Sequence, residues 1–253
     1  MLSQAIWWVS IALEILLVLR GLQARWASRY PAFYGYVAFV LLQEFVRFVA
    51  FRQSSQVYSY TYFATEFLCV GIGCLVVAEV YRLGLSNYPG TARMARNVLA
   101  LVFTLTLARA IANTWTNPGW WLEVGTQEIE RDLRTVQAVA IVALVSVFLL
   151  YAIPFGKNLR GILLGYGLFV TERVISLFFF APVPERRDFW VYMYSASYLA
   201  ALGIWVTHLW SYSENEVPKP GAKRLESDYQ ALAAATRRRL EGARGQLGKA
   251  VRS

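Results

Sequence analysis

Apolar and polar positions along this chain come in long blocks and do not alternate finely. Seven apolar blocks stand at about 4–22, 31–51, 58–81, 95–116, 133–153, 159–181 and 190–211. A helix of roughly 20 residues rises about 1.5 Å per residue and so matches the ~30 Å hydrocarbon core of a bilayer. Proline respects the blocks. Pro31 opens the second, Pro154 closes the fifth, Pro182 follows the sixth, and none of the eight prolines falls inside one. Helices that must satisfy their own backbone in lipid require this. The pattern predicts an all-α integral membrane protein: seven transmembrane helices in residues 1–213 and a polar tail over 214–253.

The tail has its own period. Leu225, Tyr229, Leu232, Thr236, Leu240, Ala243, Leu247 and Val251 recur at helical spacing, and Lys223, Arg224, Arg237, Arg238, Arg239, Arg244 and Lys249 occupy the other faces. Such a stripe predicts an amphipathic helix. Lying on the inner leaflet, docking onto a cytoplasmic protein partner through 219–253, self-pairing as a coiled coil, and disorder all remain open.

Composition fits the blocks. The chain is 57% hydrophobic and only 16% charged, against about 25% charged in soluble domains. Loops after the first, third and fifth blocks hold eight basic residues, the other loops five, and the tail nine. This asymmetry predicts N-terminus outside and C-terminus inside. The N-terminus reads as a membrane helix and not a cleaved leader, because its basic residues Arg20, Arg25 and Arg29 follow the apolar run. Most of the net charge of +9 comes from residues 219–253, which points to an anionic lipid surface and not to nucleic acid. Cys69 and Cys74, both in the third block, suggest neither a disulfide framework nor a metal site.

The chain also repeats itself. Tyr60-x-Tyr62-x-Ala64 with Gly71-Ile72 returns as Tyr192-x-Tyr194-x-Ala196 with Gly203-Ile204, and Gly35-Tyr36-x-x-Phe39-Val40 returns as Gly165-Tyr166-x-x-Phe169-Val170. The offsets predict two parallel three-helix repeats, about 4–83 and 133–211, joined by an inverting linker helix at about 95–116. Parallel repeats of this kind occur in transporters. In this plan the chain resembles the 3+1+3 superfamily of SWEET and PQ-loop transporters and microbial rhodopsins. It lacks the retinal lysine of a rhodopsin, since its four lysines all lie outside the apolar blocks, and it has no Pro-Gln pair. A second likeness rests on Arg29-Tyr30-Pro31-x-Phe33, Glu79-x-Tyr81-Arg82 with Tyr88-Pro89-Gly90, and Ile153-Pro154-x-Gly156-Lys157. In these residues the chain resembles uncharacterised bacterial seven-helix proteins. That likeness implies a multi-pass protein of the bacterial inner membrane and brings no activity with it.

Charges inside the blocks carry the chemistry. Glu14, Glu44, Arg47, Glu66, Arg109, Glu172 and Arg173 fall within apolar runs, where each charge costs about 3 kcal/mol unless paired or wetted. All but Glu14 map to the outer half of the membrane, which predicts one polar layer. Glu44 and Arg47 stand three residues apart and are expected to pair. The adjacent Glu172 and Arg173 point about 100° apart on a helix, so each is expected to find a partner on another helix. Glu66 and its repeat equivalent Tyr198 are expected to line a central cavity, with Tyr62, Tyr194, Ser195 and Trp190 toward its outer mouth. Such a layer serves to fix helix register, to bind a solute, or to pass protons or cations. No cofactor motif is present, and the lone His208 cannot build a His-rich zinc site. Binding or moving a small solute through an outward-facing polar cavity is the leading expectation. The alternatives are a sensor or scaffold acting through its tail, and a membrane-embedded enzyme using Glu66 or Glu172.

Overall fold

The computed structural model describes residues 2–116, 124–150, 156–180, 187–211, 227–239 and 241. Pro154, Pro182, Trp120, Trp121, Arg186 and the tail outside 227–241 lie beyond the described residues. Seven α-helices follow one another: α1 (Leu2–Gln23), α2 (Pro31–Gln53), α3 (Ser55–Gly84), α4 (Pro89–Thr116), α5 (Val124–Leu150), α6 (Lys157–Phe180) and α7 (Arg187–His208). A 3-10 turn at Trp26–Ser28 links α1 to α2, and residues 227–239 of the tail are helical. No strand occurs among the described residues. Among the described residues, five helices are long and apolar enough to cross a membrane, namely α1, α2, α3, α5 and α6. Their outer surfaces agree: Leu149 and Leu150 are 75% and 80% exposed, and Leu42, Phe45, Leu68 and Leu75 also face outward. Apolar side chains exposed in such number mark a lipid-facing surface.

Helix ends follow from local chemistry. Pro31 begins α2, where its missing N–H is not needed. The next two amides, of Ala32 and Phe33, donate to the Glu79 carboxylate at 3.1 and 3.0 Å. A buried helix N-terminus is thereby satisfied by a carboxylate from α3. Only Ser54 separates α2 from α3, and its hydroxyl accepts from the Val57 amide at 3.2 Å. At the opposite end of α7, the Asn158 amide donates to the carbonyls of His208 and Ser211, both at 2.9 Å.

Packing closes a ring. α1 packs on α2, α2 on α3, α3 on α5, α5 on α6, α6 on α7, and α7 returns to α1, while α4 lies against α3 and α5. The end of the ring that holds the α1 C-terminus is filled by rings. Tyr36 meets Tyr166 edge-on at 5.4 Å, and Phe33 meets Trp205 at 5.1 Å. Glycine lets the helices approach there. A β-carbon on Gly165 would strike the Trp205 indole, one on Gly161 the His208 side chain, and one on Gly73 the Tyr166 hydroxyl. Gly161 and Gly165, four residues apart on α6, have the small-residue spacing of close helix packing, whereas Gly71 faces open space.

Three sequence expectations are corrected. α5 starts nine residues before the expected 133, so Arg131 stands on a helix and not in an outer loop, and Arg134 stands well inside that helix and not at its end. Tyr30 and Tyr34, which their places at predicted helix ends would put in an interfacial aromatic belt, are buried core residues, and Tyr34 packs against Gly21 of α1. Trp190 stacks on Phe179 at 6.2 Å and does not line the cavity described below.

Candidate functional site

At the end of the ring nearest the α1 N-terminus, ring packing gives way to a chain of charges. Arg47 on α2 donates through Nη2 to Glu66 Oε2 on α3 at 2.9 Å, and through Nε to Thr65 at 2.9 Å. Arg134 on α5 donates to the other oxygen, Glu66 Oε1, at 3.1 Å. Arg134 Nε also lies 3.6 Å from Glu130 Oε1 one helical turn back. Glu130 in turn accepts a two-pronged bond from Arg173 on α6, at 2.7 and 3.0 Å. The fork geometry of arginine makes such bidentate bonds possible. The order is thus Arg47–Glu66–Arg134–Glu130–Arg173, across four helices. Each guanidinium also lies over an aromatic ring: Arg47 over Tyr62 at 4.3 Å, Arg134 over Phe169 at 5.2 Å, and Arg173 over Tyr194 at 4.9 Å. Three positive and two negative groups leave one net positive charge.

Beside this chain lies a cavity of about 350 Å³, within the ~300–1,000 Å³ range of small-molecule sites. Arg47, Glu66 and Arg134 form one part of its wall, and Glu14, Gln43 and Glu44 another. Tyr62, Tyr194, Ser195 and Tyr198 line it as well, and Tyr36 closes it toward the ring-filled half. The second wall carries two carboxylates that no arginine holds. Glu44 accepts from the Trp7 indole N–H at 2.8 Å. Glu14 is only 1% exposed and accepts from the Tyr198 hydroxyl at 2.7 Å through Oε1. Its Oε2 is buried without a hydrogen-bond partner, as are Gln43 Oε1 and Arg134 Nη1. Leaving such an atom unsatisfied costs about 1–3 kcal/mol, more where it is charged.

Much of the expected layer is present, and part of it is rearranged. Glu44, Arg47, Glu66, Tyr62, Tyr194 and Tyr198 all line the cavity, with Glu14. Glu44 and Arg47 do not pair as expected. They leave the same face of α2, but Glu44 turns to α1 and Arg47 to α3. Arg109 does not join the layer. It is 65% exposed and meets Asp132 at 3.3 Å on the outside of the ring, because α4 stands outside it. Glu172 is buried between α6 and α7, where it accepts from Ser176 and from Ser197, and it does not line the cavity. Arg173 does find a partner on another helix, Glu130.

Sequence reasoning missed Glu130, Arg134 and Gln137. Gln137 ties three helices together: its Nε2 donates to the Val70 carbonyl at 3.0 Å, and its Oε1 accepts from the Tyr166 hydroxyl at 3.1 Å. The signal was available. Glu130, Leu133, Arg134, Gln137, Ala140, Ile141, Leu144 and Phe148 form one buried stripe at helical spacing. The period runs through polar and apolar residues alike, so an apolar block alone ends it too soon.

The arrangement suits reversible binding of a small polar solute: charges of both signs, aromatic walls and a volume that holds a few heavy atoms with water. Among the described residues no group of three His, Cys, Asp or Glu is placed to hold a metal ion. No known family model, curated protein or solved structure matches this chain.

Proposed function

We propose that this chain is a seven-helix protein of the bacterial inner membrane, N-terminus outside and C-terminus inside, that binds a small solute in an outward-facing cavity and moves it inward. The observation that carries this reading is the cavity itself. Glu14 and Glu44 stand in its wall without an arginine, while the neighbouring carboxylates Glu66 and Glu130 are held by arginines. A layer serving only to fix helix register has no use for a buried carboxylate such as Glu14 that no cation pairs, which costs stability.

Other features support the membrane plan. α4 and α7, with 28 and 22 residues, are long enough to cross as well. α7 belongs to the ring, between α1 and α6. The repeat finds support in the packing. Matching α1–α3 with α5–α7 turns each contact of the ring into another contact of the ring: α1 on α2 into α5 on α6, α2 on α3 into α6 on α7, and α3 on α5 into α7 on α1. The equivalent tyrosines Tyr36 and Tyr166 touch at its centre, and the equivalents Glu66 and Tyr198 both line the cavity. In this reading the halves diverged so that one supplies charge and the other a hydroxyl that orients Glu14. The tail helix lies on the anionic inner leaflet through its basic faces.

The ring-filled floor under Tyr36 favours a second reading, in which the bundle senses a solute and the tail passes the signal to a cytoplasmic partner. The enzyme reading lacks a comparable observation, since both oxygens of Glu66 are engaged by arginines and Glu172 lies off the cavity.

The test is thermal stability of the detergent-purified chain against a broad panel of small solutes, with Glu44→Gln alongside. The reading expects a solute class that raises the melting temperature of the wild type and does so far less in Glu44→Gln. Uptake of that solute into proteoliposomes separates transport from sensing. If no solute shifts the wild type, the polar layer is structural and the reading fails.

A further inference from the structure

Resting on the reading of the cavity as a solute site, we propose that its solute is a small zwitterion carrying an ammonium group at one end and a carboxylate at the other. The cavity is electrically lopsided. The arginine chain ending on its Arg47–Glu66–Arg134 wall has three guanidiniums and two carboxylates, one charge in excess on the positive side. The lining also holds Glu14 and Glu44, two carboxylates with no cation of the protein beside them among the described ion pairs. A solute with charges of both signs fits this field when its ammonium faces Glu14 and its carboxylate faces Arg134.

The buried polar atoms without partners agree in sign and place. Three side chains of the cavity wall keep such atoms. Glu14 Oε2 and Gln43 Oε1, on neighbouring helices, are acceptors, and Arg134 Nη1, on the other wall, is a donor. Buried polar atoms are normally paired. Two acceptors and one donor, with Arg134 Nε turned toward Glu130 at 3.6 Å, are the complement of a three-donor ammonium and a carboxylate. The aromatic lining suits the same molecule. Tyr36, Tyr198 and Trp7 surround the carboxylate wall, and aromatic faces attract an ammonium group.

Neither end alone accounts for the wall. A simple cation leaves Arg134 Nη1 unmet, and a simple anion would lie against Glu14 and Glu44. A neutral sugar would satisfy single hydrogen bonds but would cancel neither charge.

The experiment is calorimetric titration of the purified full chain with glycine, β-alanine, γ-aminobutyrate and longer amino acids. Each is run beside its methyl ester, which keeps only the ammonium, and its N-acetyl form, which keeps only the carboxylate. At least one parent amino acid is expected to saturate the protein, with its ester and its N-acetyl form each weaker by tenfold or more. Glu14→Gln and Gln43→Leu are expected to weaken the parent and the ester and to leave the N-acetyl form unchanged. Because the ligand series is read on the wild type, the outcome does not depend on any variant folding. An ester or N-acetyl form that binds as tightly as its parent overturns the proposal. So does binding of a short-chain phosphatidylethanolamine in place of the free amino acids. If another solute class binds and depends on Glu44, the cavity remains a solute site and only the zwitterion is wrong. If nothing binds, both readings fall together.

Discussion

The two ends of this bundle solve the same packing problem differently. At the end toward the α1 C-terminus, Phe33, Tyr36, Tyr166 and Trp205 fill the ring with aromatic side chains, and Gly161 and Gly165 bring α6 against α7. At the other end the same helices stop short of filling it. They leave about 350 Å³ and bridge the gap with guanidinium–carboxylate pairs. Rings close-pack and need no partner, so one end is a plug. Buried charges need partners, and at Glu14 one carboxylate oxygen has none. In the proposed reading, that contrast separates residues that hold the bundle from residues that await a solute.

The largest expected effect tests whether the charge chain holds the polar end. Arg134→Ala deprives both Glu66 and Glu130 of a buried partner and is expected to cost about 3–5 kcal/mol, read as a large fall in melting temperature in detergent. Trp205→Ala probes the plug with a similar expected loss of about 3–5 kcal/mol. It differs in removing no side chain of the cavity wall, so solute affinity per folded molecule is expected to change less than stability does. Gly165→Val forces a side chain against Trp205 and is expected to cost about 1–3 kcal/mol, again without touching the cavity. Tyr198→Phe sharpens the comparison from the polar side. It removes one hydrogen bond, about 1 kcal/mol, and releases Glu14, so solute affinity changes by more than stability does. Arg109→Ala is the control. Its pair with Asp132 is exposed, so stability is expected to move by under about 1 kcal/mol and binding not at all.

How much of this was legible in the sequence differs between the ends. Helix positions followed from block length and proline, because both report directly on backbone that must pair inside itself. The start of α5 was hidden, because Glu130, Arg131, Asp132 and Arg134 read as a loop when only apolarity is counted. Their helical spacing with Gln137 and Leu144 was the better guide. Which carboxylate meets which arginine was not legible at all. Glu44 and Arg47 are near neighbours on α2, yet the packing of α1 and α3 on either side pulls them apart. Arg109 misled for the same reason: depth in a helix says nothing about which side faces the ring, and α4 lies outside it. The plug was partly legible in Gly161 and Gly165, since small residues at helical spacing announce close approach.

The central claim is a water-filled cavity open to the outside. Ser10 lines it, so the direct measurement is Ser10→Cys in a chain with Cys69 and Cys74 replaced by alanine. A small membrane-impermeant thiol reagent is then applied to sealed right-side-out and inside-out vesicles. The account predicts rapid labelling from the outer face, slowed by a bound solute, and none from the inner face. Labelling only from the inner face, or from neither, would contradict it.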